Sequence, residues 1–189
     1  MPKQSWTECL VNQIAAGTNF GTYTTAKTVI NAQALYTLYP GYWTIGRQMR
    51  IGVQGSISNI VTTPGTITFQ VMMGSIVAFT TGAIQMSTTA HTNLPFWLEI
   101  MLTCRAVGPS TSANLMGQAQ IISQCVAATA VADSTVTHAA LMAPNTAPAV
   151  GTGFDSTVAN ILDFWAGFSI SNSGNNITVH QYKVLDLGT

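Results

Sequence analysis

From Gln48 onward the chain alternates between apolar and polar positions and is broken at short intervals by Gly, Pro and Thr. Met49, Ile51 and Val53 share one face of Gln48–Asn59, while Gln48, Arg50 and Gln54 take the other, which is the period of two of a half-buried strand. Gly52 and Gly55 interrupt that strand and predict a bulge or a close backbone approach. Thr63-Pro64-Gly65 turns the chain, and Thr66–Met73 alternates again with Ile67, Phe69, Val71 and Met73 inward. Ile76–Phe79 and Ile84–Met86 are shorter candidates. Phe96–Val107 is the clearest strand: Phe96, Leu98, Ile100, Leu102 and Cys104 form its core face, and Trp97, Glu99, Met101, Thr103 and Arg105 its other face. No ion pair is expected between Glu99 and Arg105, which do not adjoin. Asn114–Cys125 is the expected hairpin partner. Asp163–Ser171 and Ile177–Leu187 are expected to close the chain as a hairpin about Ser173-Gly174-Asn175-Asn176, a turn rich in residues that accept positive φ. His91 falls in the turn Thr89–Asn93. About eight short strands separated by Gly/Pro turns predict an all-β fold, an antiparallel β-sandwich of jelly-roll-like form.

Residues 1–34 read differently and are expected to be an extended N-terminal arm ahead of a single sandwich domain over 35–189. Ser5 and Glu8 have the spacing of a capping box, and Cys9-Leu10-Val11 with Ile14-Ala15-Ala16 fit two helical turns before Gly17. Thr18–Thr28 is Thr- and Gly-rich, with Phe20 and Tyr23 set into it. It is either a surface strand and loop or a tether lying on a neighbouring subunit. Leu35–Trp43 groups aromatics about a Pro40-Gly41 turn, and such a cluster is either a lid on the core or an interface. Trp6, Phe20, Tyr23, Tyr36 and Tyr39 are the candidate interface residues. Residues 126–160 are rich in Ala, Thr, Val and Pro, and predict an ordered excursion over a surface.

Composition changes this picture in one respect. Only 6% of the 189 residues are charged, six basic and six acidic, while 47% are hydrophobic, against roughly 25% charged in an ordinary domain. A monomer with so little colloidal repulsion associates readily, so much of the outer surface is expected to be covered by partners. A formal charge of zero leaves no basic field for nucleic acid and no polybasic patch for a membrane surface. No apolar run approaches the ~20 residues of a membrane-spanning helix. Met1–Trp6 lacks a signal-peptide pattern, so synthesis in a cytoplasm is expected. Cys9, Cys104 and Cys125 are too few for a disulfide framework, although one pair with one free thiol is compatible with the count, and a reducing origin is the simpler reading.

The chemistry-bearing residues are sparse. His91, His138 and His180 stand far apart, without the short spacing of metal ligands. Glu8, Glu99, Asp133, Asp155, Asp163 and Asp186 contain no distinctive pair for glycosidase chemistry. There is no Gly-x-Ser-x-Gly elbow, phosphate loop or dinucleotide fingerprint. Asp155, in Gly153-Phe154-Asp155-Ser156-Thr157, has the setting of a cap or Asx turn. No enzyme activity, cofactor or metal is expected. The polar residues are mostly Thr, Ser, Asn and Gln, which suit protein surfaces buried without desolvating ions. The same residues also suit carbohydrate binding, the rival reading.

Several segments together resemble small structural proteins of tailed-phage particles: Tyr42-Trp43-Thr44-Ile45-Gly46-Arg47, Gln54-Gly55-Ser56-Ile57-Ser58, Thr63-Pro64-Gly65-Thr66-Ile67-Thr68, Phe96-Trp97-Leu98-Glu99, Leu102-Thr103-Cys104-Arg105, Leu115-Met116-Gly117-Gln118, Gly151-Thr152-Gly153-Phe154-Asp155 and His180-Gln181-Tyr182. The resemblance covers roughly residues 35–187 and leaves the N-terminal arm outside. It implies a β-sandwich virion protein of the capsid decoration, or cement, type. Such a protein sits as a homotrimer on the outer surface of the phage head and clamps the major capsid protein. The alternative it leaves open is a receptor- or glycan-binding module of a tail or head fibre.

Overall fold

A computed structural model describes residues 7–22, 24–60, 62–127 and 139–188. The candidates Trp6 and Tyr23, and with them His138, lie outside these residues. Two antiparallel sheets pack face to face as a β-sandwich. The front sheet has the order β1 (Glu8–Asn12), β13 (Asn176–Gly188), β5 (Gln48–Asn59), β9 (His91–Ala106), β10 (Asn114–Ser123) and β11 (Ala139–Ala143), with the short β2 (Phe20–Gly21) also on β13. The back sheet has the order β3 (Lys27–Thr28), β12 (Asn160–Phe168), β6 (Thr66–Met73) and β7 (Ile76–Thr80); β4 (Tyr36–Leu38) also pairs with β12, and β8 (Ile84–Gln85) with β6.

The alternating residues behave as their period requires. Met49, Ile51, Val53, Ile67, Phe69, Val71, Leu98, Ile100, Leu102 and Cys104 are all buried between the sheets. Four rings join the two layers. Phe69 of the back sheet stacks on Phe96 of the front sheet at 6.0 Å and on Phe164 at 5.7 Å, and Phe164 meets the fully buried Tyr182 of the front sheet at 6.0 Å. Offset ring pairs at such separations add to the burial of their area.

Strands β9 and β10 form the expected hairpin. The last two strands do not. β12 and β13 belong to different sheets, so the Ser173–Asn176 connection is an arch across the sandwich rather than a hairpin turn. Bridging packed layers ~10 Å apart needs an open connection, and none of its residues has positive φ. The buried Asn175 fixes the arch: its amide donates to the Pro64 carbonyl at 2.9 Å and accepts from the Ile60 N–H at 3.0 Å. β5 and β6 are joined by a second arch beside it, and the two together give the jelly-roll-like crossing.

Residues 8–12 are strand, not the expected helix. Glu8, Cys9 and Val11 pair with Asp186, Leu185 and Val184 of β13. A helix of two turns is marginal by itself in water, whereas the strand satisfies the free edge of β13 and buries Val11. Beyond it the N-terminal segment is extended and lies along its own sandwich. β2 follows β13, β3 follows β12, and Phe20, Val29 and Ile30 close this side of the core. Residues 139–156 close the other side. β11 pairs with β10, Val150 bridges Met116, and Phe154 is buried opposite Ala113. His91 opens β9 instead of sitting in a turn, because Asn59 of β5 continues the ladder to it.

At one end the partly buried Arg47 pairs with the buried Asp186. The guanidinium Nη2 donates to Oδ2 at 2.5 Å and Nε at 3.1 Å, Nη1 donates to the Tyr42 carbonyl at 2.6 Å, and the cation lies 4.1 Å from the Tyr42 ring centre. Burial works against the Asp186 carboxylate, but the Arg47 hydrogen bonds, the Gly188 N–H and the Arg47 charge outweigh it and hold Asp186 below the usual carboxylate range. The folded value is the depressed one. Its contribution is therefore complete above the unfolded value of about pH 4 and is lost as pH falls through the folded value. Asp186→Asn is expected to cost ~3 kcal/mol at neutral pH, since it leaves the cation without its partner. In denaturant titrations between pH 7 and pH 2, the variant's stability should fall less steeply at the acid end than the wild type's.

Candidate functional site

Each sheet has an outer face that the described residues leave uncovered in part, and the two faces differ in chemistry. Arg50, Glu99, Arg105 and Lys183 alternate outward from the front sheet. Among the described residues the back strands β3, β4, β12, β6, β7 and β8 carry only Lys27 and Asp163 as charges. The Asp163 carboxylate accepts from the Trp165 Nε1 at 2.6 Å, the Thr28 Oγ1 at 2.7 Å and its neighbouring Phe164 N–H at 2.7 Å.

On the back sheet an apolar patch forms around β4. Leu35, Thr37 and Tyr39 alternate outward, and Ile161 of β12 stands directly opposite Thr37. Tyr39 is 56% exposed and Ile161 49%, and the exposed Val158 precedes β12. The turn below them has Pro40 and Gly41 at its corners, with the Tyr42 N–H donating to the Tyr39 carbonyl at 3.1 Å and Gly41 at φ +74°, a value that glycine adopts without strain. Tyr42 and Trp43 beyond the turn are buried, with Trp43 edge-on to Phe154 at 6.5 Å. The aromatic cluster thus divides: Tyr42 and Trp43 are the lid, Tyr36 is half-buried against the core, and Tyr39 faces outward. Phe20 is 5% exposed and stacks on Phe168 at 6.0 Å, so its ring belongs to the core.

The front sheet carries a groove of about 620 Å³ lined by Gln54, Leu94, Trp97, Ile122, His180 and Gln181 among others. Three departures from a regular ladder converge there. The register of β13 on β5 shifts between Val179 and Gln181, so His180 is the extra residue of a bulge and both His180 and Gln181 face outward. Gly55 lies beneath the bulge, where a Cβ would stand 2.1 Å from the Thr178 carbonyl oxygen. Pro95, which has no N–H to give the ladder, sits opposite Ser56 in β9. Its carbonyl accepts from the Ser123 hydroxyl at 3.1 Å. The His180 Nε2 lies 3.1 Å from the Ser56 Oγ. A smaller hollow of about 190 Å³ continues from the groove past Arg50, Glu99 and Lys183.

The sequence offered no reason to join His180 to Trp97, because a bulge is a property of pairing between distant strands. Asp155 makes the expected Asx turn, accepting from the Thr157 N–H and from the Ser110 N–H, each at 2.8 Å. The thiols Cys104 and Cys125 are buried in the core, and burial pushes the Cys104 thiol up. No cluster of three or more His, Cys, Asp or Glu side chains suited to a metal occurs among the described residues.

No family model matches the sequence, and no curated protein matches it. Among solved structures the chain is similar to a fructofuranosidase from Schwanniomyces occidentalis complexed with fructose, at 7% identity and a TM-score of 0.25. The match covers 96% of this chain and 34% of that one, so the chain spans about a third of the enzyme's length. A likeness this slight carries no argument about function.

Within the hollow, Arg50 and Glu99 meet at 2.8 Å across β5 and β9, with both side chains partly in water. Exposed pairs of this kind contribute ~0.2–1 kcal/mol. Glu99→Gln is therefore expected to change unfolding free energy by less than ~1 kcal/mol, and thermal melts at low and high salt should show the difference shrinking as salt rises.

Proposed function

We propose that the chain is a non-catalytic structural protein of a tailed-phage particle, a capsid decoration protein bound to the outer surface of the head as a homotrimer. The observation that carries the proposal is the uncharged patch of Leu35, Tyr39, Val158 and Ile161 on the back sheet. An exposed apolar cluster on a chain with almost no charge is a surface suited to protein contact. The order of segments over residues 35–187 that resembles small phage structural proteins supports the same reading.

The mechanism is mechanical. A subunit that bridges neighbouring capsid proteins binds the assembled shell and not the separated subunits, so its binding free energy adds to shell stability by mass action. Three copies held together bind as a multivalent unit, and individually modest contacts then suffice. The shortage of charge lowers the desolvation cost of covering these faces. The described part of residues 1–34 is engaged with its own sandwich. The contacts between copies are accordingly assigned to the sheet face rather than to a tether formed by those residues.

Light scattering on the purified chain is expected to give the mass of three 20.0 kDa subunits. Ile161→Asp should give monomers with unchanged far-UV circular dichroism. Added to phage heads that lack it, the wild-type protein should bind in many copies, visible by cryo-microscopy, and raise the temperature at which DNA is released. A wild-type monomer, or a protein found only at the tail, would overturn the proposal.

A further inference from the structure

The bulged groove on the front sheet is separate from the patch assigned to contacts between copies, and its lining indicates a ligand of its own. Directly opposed residues run across four strands in a single row: Gln181 of β13, Gln54 of β5, Trp97 of β9 and Ile122 of β10. The row therefore reads amide, amide, indole, aliphatic. Trp97 is 43% exposed, unlike an indole that fills a core. Among the described residues, none lining the groove is an Asp, Glu, Lys or Arg. Among the described residues the charges begin in the adjoining hollow, where Arg50 pairs with Glu99 and Lys183 is the third charge. A volume of about 620 Å³ lies in the ~300–1,000 Å³ range of small-molecule clefts.

We infer that this groove binds a neutral saccharide, with one sugar ring lying on the Trp97 indole and its hydroxyls bonded to Gln54, Gln181 and His180. Carboxamides both donate and accept, as hydroxyls do, so two amides beside an apolar ring complement a pyranose, which has a C–H face and a rim of hydroxyls. An anionic ligand would lack a countercharge in the groove. A peptide adding as a strand would lack a free edge, because β5 and β9 are paired on both sides and β13 has β1 and β2 on its other flank. The irregularities also fit a built site. The bulge puts two consecutive side chains on one face, and Gly55 keeps the backbone beneath them clear. Bulges commonly re-aim side chains beside binding sites.

The test is titration calorimetry of the full chain against neutral oligosaccharides of glucose, galactose, mannose and N-acetylglucosamine, with sialylated and sulfated oligosaccharides as a second panel. At least one neutral oligosaccharide should bind. Trp97→Ala should weaken it at least about tenfold, Gln54→Ala should weaken it less, and Trp97→Phe should keep measurable affinity. Because these side chains face water, melting temperature and subunit mass should match the wild type, which separates loss of the ligand from loss of the fold or the trimer. Met142→Ala, on the same face but outside the groove, should bind as the wild type does. Binding only to the acidic panel, no binding to either, or equal affinity in Trp97→Ala would overturn the inference.

Discussion

The four-ring chain Phe96–Phe69–Phe164–Tyr182 holds the two sheets at their working separation, and the rest of the molecule depends on that contact. Two of its rings come from each sheet, and each sits at an inward position of a strand whose outward neighbours are available to the surface. Trp97 follows Phe96, and Trp165 follows Phe164. Packing of the inner faces therefore fixes which residues each outer face displays. With so few charges in the chain, fold stability rests on this apolar contact, on the ladders and on buried amides such as Asn175. The ion pair of Arg47 with the buried Asp186 works locally by joining the approach to β5 to the end of β13.

The same economy of charge divides the two outer faces. The front sheet displays Arg50, Glu99, Arg105 and Lys183 around an amide-rich groove, and water solvates such a surface well. The back sheet displays threonines, Ile161 and Tyr39, and its one acid is occupied by Trp165 and Thr28. A surface of the second kind is the cheaper one to cover with protein, because hydroxyls and aliphatic groups lose less on leaving water than ions do. An assembly built through the back face would leave the front face and its groove turned outward. The two proposed roles then occupy different surfaces and do not compete for residues.

Much of the sandwich was legible because local rules specify its central strands. Gln48–Asn59 and Thr66–Met73 were bounded as they occur, since period-two alternation ended at clear turn residues in both cases. The core face of β9 followed from the same alternation. What escaped was set by residues far away in the chain. Cys9-Leu10-Val11 is too short a run to show its period, and the open edge of β13 decided for strand. Ser173–Asn176 has the composition of a hairpin turn, but only the pairing of β12 with β6 and of β13 with β5 makes it an arch. Arg47 and Asp186 lie 139 positions apart, so no local spacing announces their bond.

The groove shows the same limit at the level of a site. Trp97 was placed correctly on the outward face of its strand, yet nothing in Phe96-Trp97-Leu98-Glu99 says what stands beside it. Its neighbour on β5, Gln54, follows from the register of a ladder between residues over forty positions apart. Gln181 enters the same row only because β13 carries one extra residue at His180. Without that bulge, Gln181 would fall out of register with Gln54 and turn toward the core, where Tyr182 now sits. The site is thus a consequence of a single register shift, and Gly55 is the residue that makes room for it, since any side chain there would meet the Thr178 carbonyl. The glycine that reads in the sequence as an interruption of a strand is, in the folded protein, what allows the groove to form.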